Sequence, residues 1–272
     1  MTLLCPVRGC GLGLVAAARS YACPAGHSFD RAKSGYVNLL LPQDKKSTDP
    51  GDRRESVEAR RRSAERGLTR ELLALLTREL DPFLRGSGAL LDVGCGDGFV
   101  LANLAEHFGG EAWGVDISRE AIDFAARRHP TLQWLIANAD RRLPFADHSF
   151  RAILSITGPK NAPELRRLLD PEGVLIVAVS APDDQAELRE AVLGAAHEVD
   201  RAPRMQEIFG ADFELAHTGE ARQRAQLDKD ALRDLLDGSY RGARHAARQR
   251  FKAQGALAVT LSHQVLVFRP RA

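Results

Sequence analysis

The stretch "LLDVGCGDGF", residues Leu90 to Phe99, decides the fold. It holds three glycines and two aspartates in ten residues, directly after an apolar run. Glycine inside a helix or strand costs about 0.5–1 kcal/mol relative to alanine, so a regular element would not carry three of them here. The stretch therefore indicates a buried strand followed by a tight turn, where bare backbone allows a sharp bend and the close approach of a ligand.

Strand and helix patterns alternate from Ala89 onward. Apolar runs favour strands at "ALLDVG", "EAWGVDI", "LQWLIANA", "FRAILSIT" and "GVLIVAVSA", with helices at "FVLANLAEHF", "SREAIDFAARRH" and "NAPELRRLLDP". Further helices are predicted over 57–80, about 184–199 and 228–237, and "ALAVTLSHQVLVFRP" predicts a hairpin or edge strand. This alternation predicts an α/β fold with a mostly parallel, Rossmann-like sheet covered by helices on both faces.

The glycine loop lies between the first of these strands and the next helix. Gly94, Gly96 and Gly98 permit the turn, and the helix start behind them offers free amides to a ligand. The spacing is Gly-x-Gly-x-Gly, which differs from the dinucleotide fingerprint, and Asp92 and Asp97 would repel phosphates. A ligand with a cationic amine suits these acids better.

Two acids further along the chain favour a nucleoside. Asp116 in "WGVDIS" ends the second strand, about 20 residues after the loop, where a carboxylate accepts hydrogen bonds from ribose hydroxyls. Asp140 in "ANADRRLPF" follows the third strand and could reach an adenine amine.

Four ordered segments, "LLDVGCGDG", "WGVDIS", "ANADRRLPF" and "LLDPEGVLIVA", resemble the class I S-adenosylmethionine-dependent methyltransferases over residues 89–180. The resemblance implies S-adenosylmethionine as cofactor. The predicted cofactor-binding residues are Asp92, Gly94, Cys95, Gly96, Gly98, Phe99, Asp116, Ile117, Asp140 and Leu143. Cys95 is also interpreted as a small packing residue rather than a nucleophile.

Three of the four cysteines lie in the first 23 residues, in "CPVRGC" and "CPAGH". Thiolates and imidazole together suit tetrahedral Zn²⁺, and the predicted ligands are Cys5, Cys10, Cys23 and His27. The ion would replace an apolar core that about 40 residues cannot build. Four protein ligands fill the coordination sphere, so the site is interpreted as structural, with incidental free thiols as the alternative.

The sequence predicts three regions. Residues 1–40 form a zinc-binding domain, 41–60 a polar linker with the turn signal "DPGD", and 61–272 the S-adenosylmethionine-dependent methyltransferase domain.

The zinc site, the glycine loop and the segments "GYVNLL", "DPGD", "LPF" and "GARH" together resemble the 23S ribosomal RNA guanine-N1 methyltransferases over nearly the whole chain. The resemblance implies methyl transfer to N1 of a guanine in a 23S rRNA hairpin loop and, for some members, macrolide resistance. The first metal pair departs from the family, which usually has two residues between the cysteines where this chain has four. The sequence assigns no catalytic base, although a group near "SITGPKN" could accept the N1 proton.

The net charge is only +2, but basic residues cluster in two segments that could contact RNA phosphates. They are Lys45, Lys46, Arg53, Arg54 and Arg60–Arg62 in one segment, and Arg241, Arg244, His245, Arg248, Arg250 and Lys252 in the other. The alternative for each is a solvated helix face. Tyr36, Phe145 and Tyr240 are candidates for stacking on a base, with packing as the plainer interpretation.

No apolar run reaches membrane-spanning length, and the N-terminus lacks a signal-peptide layout, so a cytoplasmic protein without a membrane partner is expected. A homodimer is possible. Two other functions stay open: a methyltransferase for a small molecule or another RNA, and a non-catalytic zinc-dependent RNA-binding protein on a methyltransferase scaffold. An RNA requirement for methyl transfer and binding of S-adenosylmethionine would distinguish them.

Overall fold

The computed structural model describes residues 1–45, 47–48, 50–84, 88–194, 198–239 and 255–271. Lys46, Tyr240 and the basic residues predicted between 241 and 252 lie outside the described residues. The helices are α1 Arg54–Glu65, α2 Arg70–Leu84, α3 Phe99–Ala105, α4 Arg119–Arg128, α5 Ala162–Leu168, α6 Ala186–Leu193, α7 Ala202–Phe209 and α8 Lys229–Asp237. The strands are β1 Val15–Ala16, β2 Ser20–Ala22, β3 Ser28–Asp30, β4 Val37–Asn38, β5 Leu90–Val93, β6 Ala112–Asp116, β7 Gln133–Ile136, β8 Phe150–Ile156, β9 Leu169–Ser180, β10 Phe213–Leu227 and β11 Leu257–Pro270.

Eight strands of the described chain form one sheet in the order β10-β11-β9-β8-β5-β6-β7-β4. All neighbours from β4 to β9 are parallel, and β9-β11 and β11-β10 are antiparallel. Alternate residues of the parallel strands enter separate apolar clusters: Leu91 and Val93 pack in one, Leu90 in the other. Strands that are buried on both faces have continuous apolar sequences, as these strands do. Together with the parallel pairing of β4 to β9, this confirms the predicted Rossmann-like fold.

The C-terminal part of the sheet differs from the prediction of a hairpin or edge strand at "ALAVTLSHQVLVFRP". That segment is β11, and it lies inside the sheet between β9 and β10. The edge strand is β10, which the sequence did not reveal because its exposed residues are mostly polar. A polar edge strand protects the sheet from pairing with other chains.

The helix predicted over 57–80 is two helices. Gly67 separates α1 from α2 with a φ of +78°, a conformation that glycine adopts without strain. The amide of Gly67 donates to the carbonyl of Ala64 and so ends the first helix. Pro82 lies inside the last turn of α2.

The N-terminal segment packs directly on the sheet. Its three short strands, β1 to β3, form a separate antiparallel sheet, whereas β4 joins the edge of the large sheet beside β7. Leu3 pairs with Phe145 in an isolated bridge, and the amide of Leu4 donates to the carbonyl of Pro144 at 2.8 Å. The domain bounds stay a prediction; the packing shows that the two parts share one apolar cluster.

Within the described ranges, no helix combines the length and the apolar character that crossing a membrane requires.

Candidate cofactor cavity and metal centre

The glycine loop follows β5 and is held against β6. The amides of Gly94 and Cys95 both donate to the carbonyl of Val115, at 2.7 and 3.2 Å. Gly94 has a φ of +80°, and a Cβ atom there would lie 2.8 Å from the ring of Pro159. A side chain at this position would therefore be strained and crowded, which explains why the sequence places glycine at the strand end.

A cavity of about 470 Å³ opens at the carboxyl ends of β5, β6, β7 and β8. This is where ligands bind in open α/β sheets. The structure brings seven of the ten predicted cofactor-binding residues to its wall, namely Asp92, Gly94, Cys95, Gly96, Asp116, Ile117 and Asp140.

The other three predicted residues lie elsewhere. Gly98 begins α3 with a φ of +73°, and a Cβ atom there would lie 2.2 Å from the indole of Trp134. The guanidinium of Arg61 lies over the ring of Phe99, with Cζ 4.8 Å from the ring centroid. Leu143 is buried in the apolar cluster beneath the metal site. Their assignment as cofactor contacts stays a prediction.

Three carboxylates give the cavity its electrostatic character. Burial, together with the nearby charges of Asp116 and Asp97, raises the pKa of Asp92 to about 7. Burial also raises the pKa of Asp97 and of Asp116. Oδ1 of Asp92 is buried without a hydrogen-bond partner among the described residues. Such a group needs a donor or a cation, and the ammonium of an amino-acid ligand supplies both.

Asp116 connects the glycine loop with the start of α4. Its Oδ2 accepts from the amide of Gly96 at 3.0 Å, and its Oδ1 accepts from the amide of Ser118 at 2.8 Å. Ser118 caps α4 by accepting from the amide of Ala121, as a serine directly before a helix commonly does. Each carboxylate oxygen has a second lone pair, so Asp116 retains acceptor capacity for ribose hydroxyls. These residues fit S-adenosylmethionine.

Gly51 and Asp52, the second half of the "DPGD" segment, close one side of the cavity, which sequence reasoning did not foresee. The carbonyl of Asp52 accepts from the hydroxyl of Ser118 at 2.8 Å. A Cβ atom on Gly51 would lie 2.6 Å from the side chain of Ser118. The turn signal was visible in the sequence, but its contact with α4, 66 residues away, was not.

Three arginines that the sequence offered as RNA contacts make internal ion pairs. Arg60 pairs with Asp52 at the cavity wall. Arg61, 8 % exposed, lies 3.6 Å from Asp97 and 2.9 Å from Glu65. The third, Arg62, pairs with Asp234 at 2.7 Å.

Ion pairs at half-exposed guanidinium groups do not exclude contact with phosphate, so the interpretation of these three arginines as RNA contacts stays a prediction. Their guanidinium groups neutralise carboxylates within the fold.

The stacking candidates within the described chain are packing residues. Phe145 is fully buried, with Trp113 and Phe150 against its edges. Tyr36 is also buried, and its hydroxyl hydrogen-bonds to Arg119. Neither ring presents a free face to a base.

Cys95 is buried in the loop, and burial raises the pKa of its thiol well above the usual value. A protonated, enclosed thiol is a poor nucleophile, which supports a packing role. At the end of β8, Thr157 and Pro159 line the cavity. The carbonyls of Gly158 and Pro159 already accept from Nζ of Lys160 and Oγ of Ser155. We therefore assign no residue at the end of β8 as the base that accepts the guanine N1 proton.

The N-terminal cysteines and the histidine form one cluster. The ligand atoms of Cys5, Cys10, Cys23 and His27 all lie within 4.8 Å of one another. The Sγ atoms of Cys10 and Cys23 are 3.8 Å apart, and Nδ1 of His27 is 3.4 and 3.3 Å from the Sγ atoms of Cys5 and Cys23. Ligands 2.0–2.3 Å from a tetrahedral zinc ion are about 3.3–3.8 Å apart. The donor set and its spacing fit Zn²⁺, as predicted.

Comparison with known proteins supports both parts of this description. A family model described as "Methyltransferase domain" matches residues 90–173, and the zinc-ribbon model described as "RlmA, N-terminal" matches residues 3–48. The YcgJ protein of Bacillus subtilis has a similar fold, with a TM-score of 0.52 at 16% identity over 74% of this chain and 98% of that one.

Two relatives match nearly the whole chain. The 23S rRNA (guanine(748)-N(1))-methyltransferase of Streptomyces fradiae is 33% identical over 98% of this chain and 96% of its own. A protein of Micromonospora griseorubida, named as a possible 23S rRNA (guanine-N(1)-)-methyltransferase, is 30% identical over 98% and 97%. With the cofactor cavity and the zinc site both in place, this chain belongs to the 23S rRNA (guanine-N1)-methyltransferase family.

Proposed function

We propose that this protein transfers a methyl group from S-adenosylmethionine to N1 of a guanine in a hairpin loop of 23S rRNA. The observation that carries the proposal is the full-length similarity to a 23S rRNA guanine-N1 methyltransferase, which includes the zinc ribbon as well as the cofactor domain. Methyl transfer to a small molecule would require only the cofactor domain, not the zinc ribbon.

The cofactor supplies an electrophilic methyl group on its sulfonium. Asp92 and Asp97 favour a cation in the cavity, and Asp116 orients the ribose. The guanine base must leave its stack to reach the cavity. Its N1 carries a proton in the neutral form, which is transferred to an acceptor near the end of β8 as the N–C bond forms.

The test is methyl transfer from labelled S-adenosylmethionine to transcribed 23S rRNA, with 16S rRNA and free guanosine as alternative acceptors. We expect label in 23S rRNA only, and a single primer-extension stop, because a methyl group on N1 blocks Watson–Crick pairing. Label in guanosine would identify a small-molecule enzyme. Binding of S-adenosylmethionine without transfer to any acceptor would identify a non-catalytic RNA-binding protein.

Three further expectations rest on this function. A cytoplasmic location follows from the substrate, and light scattering of the purified protein would test the homodimer. Macrolide resistance is tested by comparing the inhibitory concentration for a susceptible host with and without the gene. A methylated rRNA without a change in that concentration would separate the two properties.

A further inference from the structure

A second cavity, of about 480 Å³, lies between the metal site and the segment after β7. One wall is the loop that joins Cys5 to Cys10, and the opposite wall is the segment 141–144. The two walls are held together where the amide of Leu4 donates to the carbonyl of Pro144. The cavity therefore has a defined shape that depends on the docking of the zinc ribbon.

The loop between Cys5 and Cys10 contains a tight turn. The amide of Cys10 donates to the carbonyl of Val7 at 3.0 Å, so Arg8 and Gly9 occupy the centre of a β-turn. Gly9 has a φ of +77°, as the third position of a type II turn requires. Arg8 is thereby exposed at the corner of the turn, on the wall of the cavity.

Two more arginines line the same cavity from the other side. Arg141 and Arg142 are exposed, and they follow directly on Asp140, which lines the cofactor cavity. Arg8 and Arg141 make no ion pair within the part of the chain that the structure describes. Arg142 lies 3.6 Å from Asp147, with both side chains more than half exposed. Such a pair is weak and readily exchanged for another anion.

Asp44 is the one acid on the wall of this cavity among the described residues, against three arginines. Its backbone carbonyl accepts from the amide of the Asn138 side chain at 2.8 Å, and Asn138 lines the cofactor cavity. The segment 137–144 therefore lines the cofactor cavity with residues 137–140 and the second cavity with residues 141–144. Exposed guanidinium groups around a concave surface attract phosphate, which they bind through paired hydrogen bonds.

We propose that Arg8, Arg141 and Arg142 form a phosphate-binding site that holds the RNA backbone next to the nucleotide entering the cofactor cavity. The proposal rests on the proposed function and deepens it. It also gives a role to the loop between Cys5 and Cys10, because the turn in this loop presents Arg8.

The test compares binding of 23S rRNA by the full chain and by the triple variant R8A/R141A/R142A, in a filter assay over a range of salt concentrations. Each phosphate contact contributes about 0.7–0.9 to the slope of log K against log salt, so we expect the slope to fall by about two and the affinity by about tenfold or more. Zinc content and S-adenosylmethionine affinity are measured on the same samples and should not change.

The matched control is R78A/R127A/R204A, which removes the same charge from arginines that line neither cavity and are 70 % exposed or more. The variant R8K/R141K/R142K keeps the charge and should keep the slope. An unchanged slope in the alanine variant, an equal loss in the control, or a lost slope in the lysine variant would each overturn the proposal. Methyl transfer by the wild-type protein tests the proposed function separately. The slope of RNA affinity against salt concentration can be measured whether or not the RNA is methylated.

Discussion

At the scale of single residues, Asp92 shows how a motif position acquires its chemistry. The sequence places a carboxylate before the glycine loop, and the fold encloses it, 2 % exposed, near two further carboxylates. Burial and these neighbours raise its pKa to about 7. Between about pH 4 and pH 7, the ligand-free folded protein therefore keeps a proton on Asp92 that the unfolded chain has released.

This predicts a pH-dependent stability. Between about pH 4 and pH 7 the folded state binds the additional proton, so the contribution of Asp92 to stability is complete below pH 4 and is lost as pH rises through 7. Asp92→Asn is neutral at every pH. We expect the melting temperature of the ligand-free variant, relative to wild type, to rise between pH 5 and pH 8. A difference that is constant with pH would contradict the raised pKa.

At the scale of elements, α1 supports the glycine loop. Arg61 stacks on Phe99 at the start of α3, lies beside Asp97 in the loop, and is 3.3 Å from Nε2 of His129 at the end of α4. A buried guanidinium with these partners fixes three elements around the cofactor cavity. Removing it leaves the carboxylate of Asp97 buried without its cation, which is the costly change.

We therefore expect Arg61→Ala to weaken binding of S-adenosylmethionine by about 1–3 kcal/mol, measured by calorimetry, because an unpaired buried carboxylate destabilises the loop. The slope of RNA affinity against salt should stay as in wild type. Arg54→Ala is the matched control: the residue lies on the same helix, its side chain is 70 % exposed, and it pairs only with Glu58 among the described residues. A reduced salt slope with normal cofactor affinity would support the RNA interpretation of α1.

At the scale of the whole molecule, the zinc ribbon and the cofactor domain depend on each other. The metal ligands Cys5 and Cys23 belong to the same apolar cluster as Phe145 and Leu143 of the large domain. The amide of Leu4, next to Cys5, donates to the carbonyl of Pro144, so the start of the metal-binding loop packs against the segment 141–144. Loss of the metal should disturb the RNA-facing side of the protein more than the cofactor cavity.

Cys23→Ser is expected to abolish stoichiometric zinc, measured by metal analysis, and to lower 23S rRNA affinity more than S-adenosylmethionine affinity. Cys95→Ala removes a buried thiol outside the cluster and should retain one zinc per chain, which makes it the matched control. A zinc-free variant that binds RNA as tightly as wild type would show that the ribbon has no part in substrate recognition.

The sequence by itself determined those features that depend on residues close together in the chain. The alternation of strands and helices, the glycine loop, the cap at Ser118 and the metal ligands in "CPVRGC" and "CPAGH" all follow from local spacing. Each is a short-range constraint of backbone conformation or ligand geometry, so a pattern of a few residues is sufficient to predict it.

Only the tertiary structure decided which distant groups meet. Arg62 and Asp234 are 172 positions apart, and the contact of Asp52 with Ser118 and the cavity between Arg8 and Arg141 also join segments that are remote in sequence. Whether an arginine faces phosphate or a carboxylate of its own chain depends on which elements pack together. Packing is set by the burial of apolar surface over the whole sheet, not by the residues that flank the arginine.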